Sequence, residues 1–78
     1  MPLITVKMWP GRSEEQKKAA AEAILQAAVQ AMGTPSTAFT IIIEDIPKEE
    51  WEETVVKPEI DPKEELVYIR QGVSVKSA

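Results

Sequence analysis

Apolar and polar residues alternate over residues 2–9, with Ile4, Val6 and Met8 on one side and Thr5, Lys7 and Trp9 on the other. That two-residue period predicts a β-strand with one buried face. Pro10 and Gly11 end it, because proline has no N–H for a ladder and glycine admits a sharp change of direction. The period then lengthens. From Glu14 to Met32 the apolar residues Ala21, Ile24, Leu25, Ala28, Val29 and Met32 recur at three- and four-residue steps, and Glu15, Lys18, Glu22 and Gln26 lie opposite them. This predicts an amphipathic helix of about five turns. Ser13-Glu14-Glu15-Gln16 fits a capping box at its start, and Gly33 with Pro35 beyond supplies its stop.

Residues 39–46 are rich in β-preferring side chains, with Ile41, Ile42 and Ile43 consecutive, so this strand is expected to be buried on both faces and interior to a sheet. Strand, long helix and strand form one crossover unit, right-handed by the general rule. The tail carries weaker signals. Pro47 can open a short helical segment through Trp51, which Pro58 should end. Asp61-Pro62-Lys63-Glu64 places a cap, a first-turn proline and an acid, suggesting a second short helix toward Gly72. Residues 66–69 fit helix or strand, of which helix is the reading taken, and 73–75 a short final strand.

Seventy-eight residues make one domain, read here as residues 1–78, and a core of that size rarely supplies more than about 3–5 kcal/mol. The chain has no Cys, so no disulfide can supplement it, and no His, which disfavours a structural metal. Association of copies remains. A two-stranded sheet with one helix leaves an apolar face and an open edge, and pairing two such units gives a four-stranded sheet with helices on one face. The expected class is α/β: a single βαβ unit per subunit with a short C-terminal helix and strand.

A net charge of −4 argues against capture of nucleic acid. No stretch reaches the length of a membrane span or the pattern of a signal peptide, so the expected compartment is the cytoplasm, with no membrane partner. Without His or Cys there is no serine-histidine triad, cysteine nucleophile or imidazole base, and three scattered glycines give no phosphate-binding loop. The expectation is therefore an absence of cofactor and metal.

Two residues could still carry chemistry. Pro2 would become the amino terminus once Met1 is removed, and a free α-amino group titrates at about 7.7–8.0, low enough for a general base when burial or a nearby cation lowers it further. If Met1 stays, the same nitrogen is an amide and has no proton to exchange. Arg12, beside the turn, lies where a cation is unfavourable to the helix dipole. Its guanidinium could hold a carboxylate in a bidentate pair and offset charge that builds up as a carbon acid loses a proton.

Pro2 opening a strand, Gly11-Arg12-Ser13 ahead of Glu15-Gln16-Lys17, and Ile46-Pro47-Lys48-Glu49-Glu50-Trp51 together resemble the 4-oxalocrotonate tautomerase family, without gaps from residue 2 to 51. The resemblance implies a tautomerase/MIF-like fold that assembles as a homo-oligomer, dimer or hexamer. It also implies cofactor-free keto–enol proton transfer on a small enol or 2-oxo acid. By the same resemblance Pro2 is the general base, Arg12 contacts a substrate carboxylate, and Trp51 stands where the family carries an aromatic wall that excludes water.

Two positions depart from the family pattern. Thr40 stands where many members have a second arginine, and a hydroxyl cannot supply charge to a second carboxylate; Arg70 is the only other arginine available to substitute. Glu52-Glu53-Thr54-Val55 replaces a glycine-rich hairpin of the short members, and the tail resembles the longer, dimeric members that act on aryl-substituted enolpyruvates. The expected reaction is ketonisation of a 2-hydroxyalkenoic acid of the enolpyruvate type. The competing readings are hydration or dehalogenation of unsaturated acids by a protonated Pro2, and a non-catalytic oligomeric module.

Overall fold

A computed structural model describes residues 1–76. The chain divides into two compact units, Met1–Pro47 and Lys48–Ala78.

The first unit is the expected crossover: β1 (Leu3–Met8), α1 (Glu14–Met32), a 3-10 turn at Ser36–Ala38, and β2 (Thr40–Asp45). β1 and β2 are parallel, from Leu3 opposite Thr40 to Met8 opposite Asp45. Two further hydrogen bonds bracket the ladder: the Thr40 N–H donates to the Pro2 carbonyl at 3.1 Å, and the Ile46 N–H to the Met8 carbonyl at 2.8 Å.

The bounds of α1 follow from its caps. Ser13 is extended (φ −73°, ψ 164°) and its hydroxyl accepts from the Gln16 N–H at 3.1 Å, while the Ser13 N–H donates to the Gln16 side chain at 2.9 Å. Two N–H groups that the first turn leaves unpaired are thereby satisfied. Gly33 is left-handed (φ 63°) and its N–H donates to the Val29 carbonyl, the backbone state that a side chain resists.

Ala20, Ala21, Ile24, Leu25, Ala28 and Val29 form the half-buried stripe of α1. Met32, expected on that stripe, is 57% exposed, because the helix ends there. Ile41 and Ile43 are half-buried with Ile4 and Val6, their register partners. Ile42 is 42% exposed, and Leu3 and Thr5 on the same face are exposed too, so within one chain β2 is buried on one side only. The reason is geometric: alternate side chains leave opposite faces, α1 covers one, and β2 pairs with β1 alone among the described residues.

The second unit holds a 3-10 turn at Lys48–Glu50, a π-helix at Glu52–Ile60, a 3-10 helix at Asp61–Leu66, and a hairpin of β3 (Ile69–Arg70) and β4 (Val73–Ser74). Pro47 does precede a helical segment, but Pro58 lies inside it instead of ending it. A proline ring collides with the carbonyl four residues back in an α-helix, and the wider π turn relieves that collision. Accordingly the Asp61 N–H reaches the Val56 carbonyl, five residues back. Asp61 is itself helical (φ −59°, ψ −45°) and is not the cap that its sequence suggests. The second helix stops at Leu66, so residues 66–69 leave helix for strand, and the final strand forms at 73–74 as expected.

Among the described residues only Ile46 (9% exposed) and Val55 (5%) are buried, one in each unit.

Candidate active site

Pro2 sits at the N-terminal end of the sheet, half-buried, its carbonyl tied to the first residue of β2. Met1 ahead of it is fully exposed, so its loss would remove no packing. With Met1 attached, the Pro2 nitrogen lies in a peptide bond and is no base. Thr40 is beside Pro2, opposite Leu3 in the register. The position lacking a second arginine therefore belongs to the surroundings of Pro2.

Arg12 is exposed and held between two conformationally fixed neighbours, Gly11 at φ 131° and the capping Ser13. Only glycine takes that Gly11 angle readily, so the turn puts Arg12 where the chain leaves β1 and enters α1. Lys17, in the first turns of α1, donates to the Asp45 carboxylate at 2.6 Å, and Asp45 ends β2. Arg12 thus lies at the C-terminal end of the sheet and Pro2 at the other. Six strand residues separate those ends by about 20 Å, well beyond the reach of an arginine side chain. A single chain does not bring Pro2 and Arg12 to one substrate.

The Lys17–Asp45 pair has an electrostatic consequence. The hydrogen bond that Lys17 donates to Asp45 raises the pKa of its ammonium above the ordinary 10.5, against partial desolvation, with smaller help from the Asp45 and Glu14 charges. Lys17 is therefore a cationic strut between helix and sheet, unsuited to act as a base.

Trp51, in the second unit, is half-buried and lines a cavity of about 490 Å³ with Val56, Ile60, Tyr68, Ile69 and Arg70. The lining is mainly apolar with one guanidinium, the composition of a pocket for a small organic anion. Arg70 approaches Asp61 at 3.7 Å. The sequence offers Arg70 only as a substitute for the arginine absent at Thr40; its place beside Trp51 is not legible there, because the two are 19 positions apart and no local pattern joins them. No group of three carboxylates, His or Cys among the described residues is placed to hold a metal, and no helix among them is long and apolar enough to cross a membrane.

Comparison with known proteins shows the family. The family model described as "Tautomerase enzyme" matches residues 2–56. The 2-hydroxymuconate tautomerase of Comamonas testosteroni is 49% identical over 51 residues, 65% of this chain and 81% of that protein. A probable tautomerase of Xylella fastidiosa is 32% identical over 72 residues, 92% of this chain and 88% of that one. Among solved structures, TomN, a 4-oxalocrotonate tautomerase homologue in the tomaymycin biosynthetic pathway, superposes with a TM-score of 0.62 at 42% identity, covering 64% of this chain and 77% of that chain. The chain belongs to the tautomerase family and, within it, to the 4-oxalocrotonate tautomerases. It is an enzyme of the isomerase class, a tautomerase.

Proposed function

We propose that this tautomerase ketonises a small 2-hydroxyalkenoic acid of the enolpyruvate type, without a cofactor, using the amine of Pro2 as general base after Met1 is removed. Residues 1–78 act as one domain in this reading. The neutral amine takes the enol hydroxyl proton, the oxygen becomes a carbonyl, and the electron pair of the carbon–carbon double bond takes the proton back from the ammonium at carbon. The amine ends as it began. Arg12 holds the substrate carboxylate and offsets negative charge on the enolate, and Trp51 keeps the site dry, which favours the uncharged amine.

The observation that carries this reading is Pro2 itself: the family match begins at this residue, which leads β1. Because Pro2 and Arg12 occupy opposite ends of the sheet, the reading also requires association. Arg12 of a second copy meets Pro2 of the first, and pairing fills the open edge of the β1–β2 sheet in a homodimer with a four-stranded sheet, leaving the exposed face at Leu3 and Ile42 for further association. The pH dependence of kcat/KM for enol ketonisation tests the base. Activity is expected to fall on the acid side with an apparent pKa below the free-amine range of about 7.7–8.0. A rate that instead rises as the pH falls assigns Pro2 an acid role and contradicts the proposal.

A further inference from the structure

We propose that the cavity bounded by Trp51, Tyr68 and Ile69 is a carboxylate-binding site in which Arg70 takes the anionic group and the two rings and aliphatic wall take a planar apolar body. The proposal concerns a cavity within the second unit and rests on the tautomerase reading only through Trp51.

Among the described residues that line this cavity Arg70 is the one charged residue, and the rest of the wall is apolar apart from a tyrosine ring and Gln71. A single guanidinium in such a wall favours one negative charge and an otherwise apolar ligand. Its donors are available. The Asp61 oxygen is 3.7 Å away, outside the 2.7–3.2 Å range of an N–H···O hydrogen bond. A carboxylate entering the cavity can therefore form a bidentate pair with Arg70 without first breaking one. Asp61 competes only through its charge.

The hairpin that carries Arg70 is also held in place. Arg70 pairs with Val73, the Val75 N–H donates to the Tyr68 carbonyl at 2.9 Å, and the Lys76 ammonium stands 4.6 Å from the Tyr68 ring centroid while donating to the Glu65 carbonyl. Between the strands Gln71 has φ 49°, a left-handed angle unusual for a residue with a side chain. Gln71 also lines the cavity.

The test uses benzoate, a planar monocarboxylate, against benzamide, its uncharged counterpart. Trp9→Phe leaves Trp51 as the remaining indole, so its emission reports the cavity. Benzoate should bind about tenfold or more tightly than benzamide, the value of a hydrogen bond to a charged group. Arg70→Gln should abolish that preference with the circular dichroism spectrum unchanged, and Arg70→Lys should keep part of it. Asp61→Asn should tighten benzoate several-fold, a gain that misfolding cannot mimic. Equal binding of the two ligands, an unchanged preference in Arg70→Gln, or no gain in Asp61→Asn overturns the proposal. Failure of the tautomerase reading appears elsewhere, as undiminished turnover in Pro2→Ala, whose benzoate preference should remain intact.

Discussion

Arg12 and Lys17 are both cations near the start of α1, yet their surroundings give them different uses. Lys17 is committed to Asp45, while Arg12 is exposed at a turn fixed by Gly11. The commitment has a pH signature. Because the Asp45 hydrogen bond raises the folded-state pKa of Lys17 above 10.5, its contribution is complete below the unfolded value and disappears as pH rises through the folded one. The urea midpoint should therefore decline above about pH 10.5 in the wild type, and Lys17→Met should lose that part of the decline. At the same scale Pro2→Ala should lower kcat by about 10²–10⁴-fold, the usual worth of a positioned base, with secondary structure unchanged. Neither Pro2 nor Arg12 announces a catalytic role by spacing alone. Their assignment came from resemblance, and what the fold adds is that they are far apart in one chain.

At the scale of elements, α1 was legible to its last residue because three signals coincide: a 3.6-residue period, a capping box at Ser13, and a left-handed glycine at 33. β1 and β2 were legible from composition and alternation, but their burial was not. A run of three isoleucines cannot say how many layers cover it, and only α1 does so here. The second unit is less legible for a physical reason. Pro58 is a strong breaker in an α-helix, but the chain accommodates it in a π turn, whose hydrogen-bond spacing no α-helical period describes, whereas Pro62 opens the short helix that the sequence predicts. Its hairpin was hidden too, because a two-residue turn with two positive φ angles usually carries Asn-Gly or Asp-Gly, and this one is Gln71-Gly72. Gln71→Gly should accordingly raise unfolding free energy by about 1 kcal/mol, the lower end of the left-handed penalty for an L-residue. Denaturant titration showing a loss of stability would mean that Gln71 makes compensating contacts.

At the scale of the whole molecule, a site made from opposite ends of a sheet requires more than one chain, and this leads to a mixing test. Pro2→Ala and Arg12→Ala chains should each be nearly inactive alone. Refolded together in equal amounts, they should form mixed dimers in which one site keeps both residues, giving about a quarter of wild-type turnover if pairing is random and two-fold symmetric. A site built within one chain would give no recovery. Both that recovery and the base itself depend on Pro2 being a free amine. The most direct measurement is the intact mass of the protein purified from the cells that make it. The expected species is lighter by one methionine residue than the full translated chain. A mass that still includes Met1 would leave the Pro2 nitrogen in an amide and contradict the mechanism.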